Sequence, residues 1–118
     1  MLSNDEKLKR IKKACQLGRY DFNHMIQRCR DGEYQFWETD NGVGVTTIEI
    51  SGEHRVLFIL AVAGTLEGVD ELRQIIDKFA VEQACDVIRT IGRMGFKASA
   101  QGFDAAYRPI GIMFEKVL

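Results

Sequence analysis

The side chains best suited to chemistry in this 118-residue chain are three cysteines, two histidines and a scatter of carboxylates. Cys15, His24 and Cys29 lie close enough in sequence to suggest a metal site, because thiolates and imidazoles are the usual zinc donors. Their spacing matches no zinc pattern and a fourth ligand is missing, so the cysteines read as core residues and no metal is expected. His54 follows Glu53 at a turn, but no serine or cysteine stands near it in a nucleophile context, and it receives no catalytic role. Gly42-Val43-Gly44 has the opening of a dinucleotide fingerprint, yet it follows no parallel strand and opens no helix; it reads as a hairpin turn. Lys7, Lys9, Arg10, Lys12 and Lys13 form a dense basic cluster whose chemistry would be phosphate binding, with affinity that falls steeply in salt. No aromatic residue interleaves with them, and Leu8, Ile11, Ala14 and Cys15 take the complementary helical spacings. The cluster therefore reads as the solvated face of an amphipathic helix, and nucleic acid is not expected as a partner.

Composition sets the frame for these residues. With 46% hydrophobic and 28% charged side chains, 11 glycines and one proline, the chain is expected to fold as one soluble domain over residues 1–118. Its longest apolar run, residues 56–64, is strand-length, so no membrane partner is expected. The opening Met1-Leu2-Ser3-Asn4-Asp5-Glu6 lacks the order of a secretory signal, and an odd cysteine count without C-x-x-C fits a reduced compartment. The expected location is the cytoplasm of the producing cell. Charge is lopsided: residues 1–30 hold eight Lys/Arg against three Asp/Glu, and residues 31–118 hold eight against fourteen.

The elements follow from periodicity and punctuation. Ser3 and Glu6 form a capping box for a helix from Asn4 to about Leu17, where Gly18 stops it. Asp21 caps a second helix carrying Phe22, Met25, Ile26 and Cys29 on one face. Residues 34–39 read as a strand, Asp40-Asn41-Gly42 as a turn and residues 43–50 as the returning strand. After the turn Ser51-Gly52-Glu53, residues 55–62 form a third strand whose unbroken apolar run marks burial on both faces. Thr65 caps a long helix to Ala84, with Leu66, Val69, Leu72, Ile76, Phe79, Ala80 and Ala84 on its buried side. Residues 86–91 read as a strand, 92–95 as a turn, 96–101 as a helix closed by Gly102, and 103–107 with 110–118 as a strand split by Arg108-Pro109.

This order resembles the GCN5-related N-acetyltransferase (GNAT) superfamily. The strand at 56–62 resembles the one along which acetyl-coenzyme A lies, the helix from Leu66 with Cys85-Asp86-Val87-Ile88 resembles the superfamily's long helix and next strand, and Gly102-Phe103 stands where many members carry Gly-Phe. Gly92-Arg93-Met94-Gly95-Phe96 looks like a turn in short acetyltransferase-like proteins of tailed bacteriophages. The resemblance covers the chain from about Tyr20 onward. It implies an α+β fold with a mixed, mostly antiparallel central sheet and flanking helices, lacking the superfamily's first strand. A neighbouring subunit supplying that strand would make the chain an obligate oligomer.

The same resemblance implies sites. Backbone groups of Phe58, Leu60 and Val62 would pair with the pantetheine arm of acetyl-coenzyme A, and amides from Gly64 to Gly68 would meet its phosphates. The segment Ala63-Gly64-Thr65-Leu66-Glu67-Gly68-Val69 departs from the superfamily's loop: its glycines are differently spaced, it holds no Arg or Lys, and Glu67, Asp70 and Glu71 repel anions. The tyrosine that protonates the leaving thiolate in many members falls at Ala98; Tyr107 is the substitute, with Glu49 or Glu53 as base. Loop and acid both depart from the pattern, so the expected function is non-catalytic: a binding or structural protein of phage type, virion-associated, with no cofactor. Its partners would be other virion proteins or itself, met through Trp37, Tyr34, Phe36, Arg93 and Phe96. The alternative is an acetyl-coenzyme A-dependent N-acetyltransferase with a degenerate phosphate loop.

Overall fold

The computed structural model describes residues 1–17, 20–91 and 114–118. Helix α1 spans Asn4–Leu17, and its capping box forms as the sequence predicts: Ser3 Oγ accepts from the Glu6 N–H at 3.1 Å. Helix α2 spans Phe22–Arg30, with Asp21 Oδ1 accepting from the His24 N–H at 3.0 Å. Four strands follow, β1 Gln35–Thr39, β2 Gly42–Ser51, β3 His54–Gly64 and β4 Val87–Thr90, with helix α3 at Leu66–Glu82 between the last two. The sheet order is β1-β2-β3-β4. The first three strands meander antiparallel, and β4 returns parallel to β3 after the α3 crossover. The fold is therefore α+β with a mixed sheet. Among the described residues no strand precedes α1, and β1 stands at the sheet edge.

Two cores lie on opposite faces of this sheet. Ile11 and Cys15 of α1 and Met25 of α2 pack on Val43, Val45 and Ala61, while Leu72, Ile76 and Ala80 of α3 pack on Leu57 and Ile59. Strand β3 serves both cores by an irregularity. Val45 pairs with Ala61 but the next residue, Thr46, pairs with Ile59, so Leu60 is an extra residue opposite β2, a β-bulge. Before the bulge Leu57 and Ile59 face α3; after it the alternation reverses, and Ala61 and Ala63 face α1 while Val62 faces α3. The apolar run at 56–62 is covered on both faces, as adjacent Val56 and Leu57 with no exposed surface show, and the bulge exchanges which alternate residues meet which core.

The two hairpin turns are held differently. In the β2–β3 turn, Gly52 takes the positive φ (63°) that a primed two-residue turn needs at its first position. In the β1–β2 turn neither Asp40 nor Asn41 has a positive φ. That turn is clamped from outside instead: the Leu2 N–H donates to Asp40 O at 3.1 Å and to Asn41 Oδ1 at 3.2 Å, and the Thr65 N–H donates to Asn41 O at 3.0 Å.

Three expectations need correction. Helix α3 stops at Glu82, two residues short of Ala84, because the Cys85 N–H donates to Ala80 O and the Ala84 N–H to Val81 O, closing a Schellman motif. Ala84 sits there at φ 57°, a left-handed conformation that glycine adopts without the Cβ penalty. Ala84→Gly is accordingly expected to stabilise the fold by about 1 kcal/mol, read from the urea midpoint. Leu66 is also not on the buried side: it is 62% exposed in the first turn of α3, and Ala84 is exposed. Last, residues 114–118 form no strand and are exposed. The rest of the predicted final strand, the helix at 96–101 and the turn at 92–95 lie outside the described residues.

Candidate functional site

The junction of β3 with α3 is the segment for which the sequence implies ligand chemistry. Thr65 caps α3 as predicted, its Oγ1 accepting from the Gly68 N–H at 3.0 Å. The glycines on either side serve a close approach of backbone to backbone. A Cβ at Gly64 would lie 2.2 Å from Asn41 O, one at Gly68 would lie 2.0 Å from the same oxygen, and one at Gly42 would lie 2.8 Å from Gly68 O. The β1–β2 turn is thus seated in the cradle of the junction, and the Asn41 carbonyl takes the Thr65 amide. Gly42 and Gly68 are both buried, and Leu72 closes the contact from below.

Charge at the junction is mixed. Helix α1 brings Arg10 to it, with Nη1 donating to Gly64 O at 3.1 Å and Nε 3.6 Å from Glu6. Sequence reasoning found no basic residue in the segment because this one arrives from 54 positions away. On the other side Glu67 and Glu71 are exposed in the first turns of α3, where they favour the helix dipole and oppose an anion. Asp70 is held by Arg73, which also reaches Asp77.

The hairpin register fixes the direction of backbone groups in β3. Ser51 and His54 flank a two-residue turn and form a hydrogen-bonded pair, so alternate pairs, including Thr47 with Phe58, carry the ladder. The Phe58 N–H and C=O therefore point at β2. Ile59 points at β4, and Thr90 Oγ1 donates to its carbonyl at 3.3 Å. Beyond the bulge the N–H and C=O of Val62 face the β4 side, where no described residue pairs with them. The bulge at Leu60, which sets this change of direction, has no Gly or Pro to mark it in the sequence.

Of the proposed acid and bases, only the two carboxylates lie among the described residues. Glu49 is exposed on β2, and Glu53 is exposed in the β2–β3 turn; Tyr107 lies outside the described residues. A tyrosine that sequence reasoning passed over, Tyr20, packs partly buried against the α1 core. Burial pushes its hydroxyl above the ordinary tyrosine range, with Tyr34, Glu49 and Cys15 adding to the effect. Cys15 is buried with its Sγ 3.7 Å from Met25 Sδ, and burial raises its thiol as well, in keeping with a core cysteine. Cys29 is half-buried at the edge of the same core and His54 lies 3.9 Å from Asp86.

The candidate contact residues separate. Trp37 faces α3, edge-on to Phe79 at 4.9 Å between centroids, and its Nε1 donates to Thr46 Oγ1 at 2.8 Å; it behaves as core. Tyr34 packs beneath Arg28. Phe36 is 46% exposed on the opposite face and lines a groove of about 300 Å³ with Ile26, Cys29 and Arg30. Arg93 and Phe96 lie outside the described residues. Nearby, Lys7 departs from the solvated face expected of it: its side chain is 9% exposed, with Nζ 3.0 Å from Glu38 Oε2. Glu38→Ala should cost about 1–2 kcal/mol by leaving that ammonium without its partner, whereas Lys7→Met should be close to neutral; paired urea titrations distinguish the two.

Comparison with known proteins bears on the whole arrangement. No family model matches the sequence, and no curated protein matches it. Among solved structures, a protein described as a probable acetyltransferase aligns with a TM-score of 0.64 at 12% identity, over 94% of this chain and 91% of its own. TTHA1254 of Thermus thermophilus, in its wild-type form, aligns with a TM-score of 0.60 at 14% identity, over 99% of this chain and 92% of its own. A point variant of that protein reaches 0.62. What is shared is the fold. This chain has an acetyltransferase-like fold, and the sheet order, the parallel β3–β4 pair and the α3 crossover are the elements that carry it.

Proposed function

We propose that this chain is a non-catalytic user of the acetyltransferase-like fold, working as a small binding or structural protein of the phage virion-associated kind that its 92–96 turn resembles. One observation carries the reading: the glycines of the β3–α3 junction are spent on seating the β1–β2 turn, with the Asn41 carbonyl in the cradle. In that arrangement the Thr65 amide already has its acceptor and the flanking acids Glu67 and Glu71 oppose an anion. Thermal unfolding with millimolar acetyl-coenzyme A tests it. A ligand at ~100 times its Kd would add about 2.7 kcal/mol, several degrees for a domain of this size, and no shift is expected. Sedimentation of particles from cells producing the tagged chain supplies the positive arm: the chain is expected with the particles, and its complete absence from them would overturn the virion reading.

A second reading has an observation of its own. The bulge at Leu60 turns the Val62 N–H and C=O toward the β4 side with no described partner, the direction in which a pantetheine arm would pair. An upward thermal shift with acetyl-coenzyme A, abolished by Gly64→Pro, would establish that N-acetyltransferase reading in place of the first.

A further inference from the structure

We propose that the outer edge of β1, which no described residue pairs with, pairs antiparallel with the β1 edge of a second copy of this chain, joining the two sheets across a dyad at Trp37. Thr39 and Gly42 flank the two-residue turn and form a hydrogen-bonded pair, so the N–H and C=O groups of Gln35, Trp37 and Thr39 point at β2. Those of Phe36 and Glu38 point outward. A dyad through Trp37 sets Phe36 opposite the partner's Glu38 and Glu38 opposite the partner's Phe36, so every outward group finds a complement in the same strand. An edge left free needs protection, and β1 has no proline, no lysine and no bulge along its five residues.

Charge selects a second copy as the occupant. Phe36 shares its groove with Arg30, which makes no ion pair among the described residues. Placing Phe36 opposite the partner's Glu38 brings Arg30 beside that carboxylate, and the dyad repeats the contact. The two Glu38 carboxylates near the axis are then met by two Lys7 and two Arg30 side chains, a complementarity of one surface with itself. The contact also covers Phe36 and Ile26, the apolar lining of the groove. This inference goes beyond the reading of the β3–α3 junction and does not depend on it.

Sedimentation equilibrium of the full chain from micromolar to millimolar concentration tests the pairing, with two variants. Phe36→Pro removes an outward N–H together with the ring that the contact covers, while the inward N–H groups that carry the β1–β2 ladder are kept, and Arg30→Glu alters an exposed side chain. The wild type is expected to dimerise; Phe36→Pro should weaken association by roughly 30- to 100-fold and Arg30→Glu by roughly tenfold, with far-UV circular dichroism unchanged. Should the proline variant fail to fold, weakening by Arg30→Glu decides in favour. A wild type that stays monomeric throughout, leaving the edge to another protein or to solvent, overturns the proposal. So does a dimer that neither variant weakens.

Discussion

Gly68→Ala is expected to destabilise the protein by about 3 kcal/mol, although an alanine inside a helix is ordinarily worth about 1 kcal/mol over glycine. The reversal comes from what the new methyl would meet. Its carbon would stand 2.0 Å from Asn41 O, 2.3 Å from Asn41 C and 2.8 Å from Gly42 N, all backbone atoms of a turn that cannot swing aside as a side chain can. Relief requires α3 and the β1–β2 turn to part, which breaks the Thr65 N–H to Asn41 O bond and loosens Leu72 beneath Gly42. A urea titration of the variant against wild type checks it. A stabilised variant would mean that the junction is open and that its glycines serve something other than the turn.

Leu72→Ala should cost about 3–4 kcal/mol by the same measurement. Leu72 has no exposed surface, and its cavity would open where α3, β2 and β3 converge. Leu66→Ala, six residues earlier on the same helix, should change stability by under about 0.5 kcal/mol because that leucine is 62% exposed. Comparable losses from both would show that the first turn of α3 is buried in solution.

The contrast between these two leucines shows where the sequence was legible. Helical spacing placed Leu72, Ile76 and Ala80 correctly because they face the sheet, and Leu66 broke the pattern because the buried contact of the first turn is made by Gly68 against the β1–β2 turn. The caps at Ser3, Asp21 and Thr65 were readable because each is a local contact over three residues. What local pattern cannot carry is a contact whose partners are far apart in sequence. Asn41 looked like an ordinary turn residue, yet its carbonyl fills the cradle that Gly64 and Gly68 form. Lys7 looked solvated and reaches Glu38 across the first core. The bulge at Leu60 was hidden because every residue of the run is apolar, so a reversal of phase leaves no trace in composition. The acetyltransferase-like order of elements survived all of this, since it rests on periods and caps, whereas the site assignments rested on single spacings that carry no strand register.

The most direct test of the account is a titration of the isotope-labelled chain with acetyl-coenzyme A, following the backbone amide signals of Thr65 to Val69 by heteronuclear NMR. With the Thr65 amide engaged by Asn41 and the glycine cradle filled, these signals should stay in place up to millimolar ligand. Saturable shifts centred on Thr65 to Gly68, spreading to Val62, would show a working phosphate loop and contradict the scaffold reading.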